Sequence, residues 1–140
     1  MTEHSKTVFI YTMPGDWHAI LAETALKARG HRVVRYFGSD FPTTADIEFE
    51  YGRDGETLRL HTLDGSFAIA DIDVVWNRRM IGPKVPSNVD PRDRDYVAQQ
   101  IRFGDAALRS LLREAFWINP HDAARNADHK PKQLQLALRN

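Results

Sequence analysis

The 140-residue sequence contains no cysteine. Disulfide bonds, a thiol nucleophile and cysteine-ligated zinc or iron–sulfur centres are therefore excluded. An excess of either charge is also missing: 19 Lys and Arg balance 19 Asp and Glu, for a formal net charge of +0. That balance gives no electrostatic reason to expect nucleic acid or an anionic membrane as the partner. Long hydrophobic runs are lacking too. The longest, Thr7–Tyr11 and Val74–Trp76, fall far short of the ~20 residues that a spanning helix needs. Met1–Lys6 is polar, without the apolar stretch of a secretion signal. These absences predict a cytoplasmic single domain with neither nucleic acid nor membrane as partner.

Familiar catalytic motifs are missing as well. No Gly-x-x-x-x-Gly-Lys-Ser/Thr phosphate loop occurs, and no Gly-x-Gly-x-x-Gly follows the first apolar segment. A single glycine at Met13-Pro14-Gly15-Asp16 cannot build the usual pyrophosphate cradle. Without a Gly-x-Ser-x-Gly elbow a hydrolase reading has no nucleophile. His4, His18, His31, His61, His121 and His129 show no metal-ligand spacing, so no metal site is expected among them.

What is present reads as an α/β domain. Thr7–Thr12 is β-branched and aromatic, a buried strand. Asp16 caps a helix running to about Arg29, with Ile20, Leu21, Thr24, Ala25 and Ala28 on one face and Gly30 after its end. His31–Phe37 is the second strand, and the unit predicts parallel pairing. After a loop at Gly38–Asp46, Ile47–Tyr51 and Thr57–Leu63 alternate around a turn at Arg53–Glu56, the pattern of a hairpin. A turn at Asp64-Gly65 and an apolar stretch at Phe67–Ala70 follow, and Ile72–Trp76 is a further buried strand. Asp90 at N-cap, Pro91 at N1 and Asp93 at N3 predict a helix to about Ala115, with Val97, Ile101, Leu108, Leu111, Leu112 and Ala115 inward. Trp117–Pro120 is a short strand turning into a small helix. Pro131 opens a last helix carrying Leu134, Leu136, Ala137 and Leu138, with no stop signal before Asn140. Trp17, Trp76 and Trp117 are expected in the core.

Two places carry candidate chemistry. Arg78 and Arg79 follow a central strand, where open α/β sheets bind ligands, and guanidinium matches carboxylate or phosphate. They read either as an anion or domain-contact site, or as surface arginines bridging to Asp71 or Asp73. Lys130 precedes Pro131, which places it near an N-cap. A cation there opposes the helix dipole by about 0.3–1 kcal/mol. An anion against the free N–H groups of Lys132 and Gln133 reverses that sign. The other reading is a solvated lysine offset by Asp128.

Three segments, taken in order, resemble one family. They are Ser39-Asp40-Phe41-Pro42, Val74-Val75-Trp76-Asn77-Arg78-Arg79, and Trp117-Ile118-Asn119-Pro120 with Lys130-Pro131-Lys132-Gln133-Leu134-Gln135-Leu136-Ala137. Together they look like the pre-ATP-grasp domain of ATP-grasp ribosomal peptide maturases, the graspetide or microviridin-type peptide ligases. Asn77 departs from the pattern, which carries an aromatic residue before the two arginines.

The resemblance implies a three-layer α/β/α, Rossmann-like domain with a parallel sheet core and an added β-hairpin. It places that domain at residues 1–127, with 128–140 beginning the following ATP-grasp region. It implies a parent enzyme that uses ATP and Mg2+ to activate a side-chain carboxylate of a precursor peptide. A Ser, Thr or Lys side chain then closes a macrocyclic ester or amide. Lys130 would reach the nucleotide phosphates, and Arg78 and Arg79 would line the cleft facing the catalytic domains. The fragment alone would be inactive, with no catalytic residue and no tightly bound cofactor of its own. Its partners would be the precursor peptide and the missing domains, with a homodimer as a further possibility. The alternative is a stand-alone module without catalysis that dimerises or holds a leader peptide along the Ile47–Leu63 hairpin. A third reading, a freestanding small-ligand protein, expects a pocket at Met13–Asp16.

Overall fold

A computed structural model describes residues 4–53, 55–127 and 129–138, apart from the Leu136 side chain. Asp54 of the hairpin turn, Asp128 as counter-ion to Lys130, and Arg139-Asn140 lie outside the described residues.

The central sheet holds β1 (Thr7–Thr12), β2 (Arg32–Phe37), β6 (Val74–Asn77) and β7 (Phe116–Ile118), all parallel, in the order β2-β1-β6-β7. Between β2 and β6 the chain makes a separate antiparallel sheet of β3 (Asp46–Gly52), β4 (Gly55–Thr62) and β5 (Gly65–Ala68). The helices are α1 (Trp17–Ala28), α2 (Arg94–Leu111), α3 (His121–Ala127) and α4 (Lys130–Ala137). Among the described residues no helix is long and apolar enough to cross a membrane.

Alternation along the strands sorts the core into two layers. Val8, Ile10 and Val33 point to the α1 side, where they meet Ala19 and Leu26. Phe9, Tyr11, Val34, Tyr36 and Val75 point the other way, onto Leu108 and Leu112 of the α2 region and onto Leu60 and Phe67 of the second sheet. The parallel sheet is thus covered on both faces, as near-continuous apolar strands require. This is the three-layer arrangement expected, with the antiparallel sheet sharing the layer of α2. Phe9, Tyr11 and Tyr36 form an aromatic group with ring centroids 5.0 to 6.1 Å apart. Each such pair contributes about 0.5–1.5 kcal/mol beyond its burial.

Several details differ from the sequence reading. The added hairpin is a three-stranded meander, because Gly65–Ala68 pairs with Arg59–Thr62. Helix α2 starts at Arg94, not at Pro91. The Asp90 carboxylate accepts the Arg92 N–H at 2.9 Å and its guanidinium at 3.1 and 2.9 Å, forming a local turn that competes with a cap. Trp17 is 74% exposed on α1 and is not a core residue. Trp117 packs against the core and donates its indole N–H to the Leu112 carbonyl at 2.8 Å. Helix α4 includes Lys130 as its first residue.

The Ser39–Pro42 segment has a packing role. The Asp40 carbonyl accepts the N–H groups of Thr43, Thr44 and Ala45 at 2.8, 2.8 and 3.1 Å. The Phe41 ring lies on Gly104 of α2, so close that a Cβ there would sit 2.6 Å from the ring. Gly38, just before, is pressed against the strand-exit segment after β6: a Cβ would fall 1.9 Å from the Ile81 carbonyl oxygen. Backbone cannot yield that distance cheaply. Gly38→Ala is therefore expected to lower stability by roughly 1–3 kcal/mol. Thermal unfolding followed by circular dichroism checks this, and an unchanged Tm would contradict it.

Candidate functional site

Strand order places the switch point between β1 and β6. The chain leaves β1 toward β2 on one side and returns with β6 on the other, so a crevice opens at the C-terminal ends of these two neighbours. Asp16 closes the β1 exit and Arg78-Arg79 form the β6 exit.

These exits are joined. The N–H groups of Arg78 and Arg79 both donate to the Tyr11 carbonyl, at 3.0 and 3.3 Å. The Arg78 Nε lies 3.6 Å from Asp16 Oδ2. Asp16 is buried, accepts the Thr12 hydroxyl at 2.9 Å, and caps α1 by accepting the His18 N–H at 3.1 Å. Burial works against its ionisation. Hydrogen bonds from Thr12 and from the backbone at Ala19 and His18, together with the Arg78 charge, outweigh that and hold its carboxyl below the usual carboxylate range. The carboxylate also fills the N-terminus of α1, where a ligand anion would otherwise sit. This weighs against a small-ligand pocket at Met13–Asp16.

Arg78 and Arg79 therefore do not bridge to Asp71 or Asp73. Asp73 lies at the other end of β6, where it binds Lys6 at 3.0 Å and accepts the Thr7 N–H at 2.8 Å. Arg79 is exposed and makes no salt bridge among the described residues. Both arginines line a cleft of about 780 Å³ between the β6 exit and the turn from β7 into α3. Asn119, in the left-handed region at φ 56, turns the chain there, and His121 and Arg125 line the opposite wall. Among the described residues no carboxylate lines the cleft, while three arginines do. Chemically this suits a carboxylate or phosphate, held by charge-assisted hydrogen bonds.

Lys130 is not among the residues lining that cleft. It is exposed on α4, with Nζ 3.4 Å from Gln133 Oε1. The Gln133 N–H donates to the His129 carbonyl at 3.1 Å, so it is not a free donor as expected. Sequence reading missed Asp16 as the partner of Arg78 and missed Arg125 altogether. The pairing of β1 with β6 spans more than sixty residues of chain and left no local signal.

A family profile described as "MvdD pre-ATP grasp domain" matches residues 7–125. Among solved structures, the macrocyclase MdnB from Microcystis aeruginosa MRC is 24% identical with a TM-score of 0.84, over 96% of this chain and 44% of that one. The macrocyclase MdnC of the same organism, bound with precursor peptide MdnA, is 25% identical with a TM-score of 0.75, over 95% and 44%. A Chryseobacterium gregarium RiPP-associated ATP-grasp ligase, in complex with ADP and a leader and core peptide, is 23% identical with a TM-score of 0.76, over 96% and 41%. The chain thus spans less than half the length of these proteins. No curated protein sequence matches it significantly.

The Asp16 environment generates a pH prediction. Its folded pKa is depressed, so its stabilisation is present above the unfolded value of about 3.9 and is lost as pH falls through the lower folded value. Asp16→Asn should lower stability at neutral pH and flatten the loss of stability below about pH 4. Urea unfolding across that range checks it; identical acid limbs for both proteins would contradict the assignment.

Proposed function

Because the chain belongs to the MvdD pre-ATP-grasp domain family, we propose that it is the N-terminal domain of an ATP-dependent peptide ligase. In this reading the whole enzyme forms macrocyclic ester or amide links between side chains of a ribosomal precursor peptide. The observation that carries the site assignment is the cationic cleft at the C-terminal ends of β1 and β6, with Arg78, Arg79 and Arg125 on its walls.

The reaction passes through groups of high negative charge: a peptide carboxylate, then its phosphorylated form. ATP would supply the phosphoryl group, and Mg2+ would neutralise the phosphates. An arginine-lined cleft fits such an anion. It suits Mg2+ less well, because its described lining residues include no carboxylate, and we assign the metal to the remaining domains. Arg79, exposed and without an internal partner among the described residues, is the side chain free to reach the peptide. Arg78 is tethered by Asp16 and keeps a fixed position beside it. Lys130, on the separate short helix α4, is assigned to the nucleotide phosphates. The sequence carries no glycine-rich phosphate loop and the described residues form no cluster of metal ligands, so we assign turnover to the whole enzyme and none to this domain by itself. We assign the enzyme to the cytoplasm, where ATP is supplied.

In the full-length enzyme Arg79→Ala should reduce peptide macrocyclisation by about 10- to 100-fold, the loss of about one charge-assisted hydrogen bond. Mass spectrometry reads the product as loss of one water per link, and full activity of the variant would overturn the role. Lys130→Ala should weaken nucleotide binding by calorimetry while leaving peptide binding unchanged; unaltered nucleotide affinity returns Lys130 to the solvated surface. Measurable ATP hydrolysis by the purified 140-residue chain would contradict the division of labour.

A further inference from the structure

Strand β3 lies at the edge of the antiparallel sheet and, among the described residues, pairs on one side only, with β4. Along the other side of this seven-residue strand no described residue pairs with its backbone, the usual template for an added strand. Its side chains alternate sharply. Asp46, Glu48 and Glu50 point to one face, and Ile47, Phe49 and Tyr51 to the other. Ile47 is packed against the core, whereas Phe49 is 44% and Tyr51 71% exposed. The apolar row therefore continues beyond the domain's own core.

Charge decides what can join this edge. A second copy pairing β3 with β3 would, in any antiparallel register that aligns the apolar faces, set acid against acid. That arrangement is destabilising. A strand with Lys or Arg opposite the three acids gains attraction at the same positions and can lay apolar residues beside Phe49 and Tyr51. Glu48 already makes a side-chain contact across the sheet, with His61 Nε2 at 2.9 Å from Oε2.

We propose that β3 is a docking edge for an extended segment of the peptide substrate in which Lys or Arg alternates with apolar residues. The peptide adds an outer strand by main-chain hydrogen bonds, and side-chain alternation sets its register. Only the identity of this peptide as substrate rests on the ligase reading; the binding itself does not. The site is separate from the Arg78-Arg79 cleft, whose charge is opposite.

The test uses the 140-residue chain and a short capped peptide alternating lysine with valine, long enough to span β3. A glutamate–valine peptide is the control. Expected are saturable binding of the lysine peptide, slowed amide exchange confined to Ile47–Tyr51, and a loss of roughly tenfold or more in affinity for the double variant Glu48→Lys, Glu50→Lys. That variant should also take up the glutamate peptide. Glu50→Gln, at an exposed position, gives a partial loss that stays readable if the double variant fails to fold. No binding, equal binding of both peptides, or exchange protection mapping to other segments would overturn the proposal. Because binding is read and not ligation, a failure here leaves the cleft assignment standing, and inactive cleft variants leave this edge untouched.

Discussion

The Tyr11 carbonyl receives the N–H groups of both Arg78 and Arg79, while its fully buried phenol donates to Asp105 of α2. Asp105 is in turn paired with Arg109 one helical turn on. One residue of the central strand thus joins the sheet, the helix that covers it and the arginine pair at its exit. Burial and the hydrogen bond to Asp105 push the Tyr11 phenol well above its ordinary pKa, so the link stays protonated through the physiological range. A buried polar network of this kind is stable only when its members are satisfied. Here the arrangement fixes where β6 ends relative to α2, and hence where the cleft opens.

That constraint explains why the cleft is cationic without collapsing. Three arginines around one space repel, and among the described residues Arg78 has an internal counter-charge, in Asp16. Asp16 is also the cap of α1 and the acceptor of Thr12, so the same carboxylate holds a helix start, a strand end and an arginine. The opposite rim, at Asn119 and His121, is carried by the short edge strand β7 and by α3. One wall is anchored in the core, while the other stands on short elements with few buried side chains.

Much of this fold was legible because its signals are local. The β1–α1–β2 unit shows itself through a β-branched run, an Asp cap and a glycine after the helix, and all three do in space what the spacing predicts. The start of α2 was misplaced because Asp90 has two local uses, cap or turn, and Arg92 decides between them. The third strand of the meander was hidden by its four-residue length. For the site, the arginine pair was readable from its position after a buried strand. Its partner was not, since the Asp16–Arg78 contact depends on strand order. Trp17 shows the limit of residue type as a guide: at the helix start, beside a capped turn, its ring has no core to enter.

The central claim is that the arginine-lined cleft faces the reacting peptide. A crystal structure of the full-length enzyme with a non-hydrolysable ATP analogue and its precursor peptide tests this most directly. The account predicts a carboxylate or phosphate oxygen within hydrogen-bonding distance of the Arg79 guanidinium, with Arg78 still held by Asp16. Arginines left facing solvent, or paired only with carboxylates of a neighbouring domain, would contradict it.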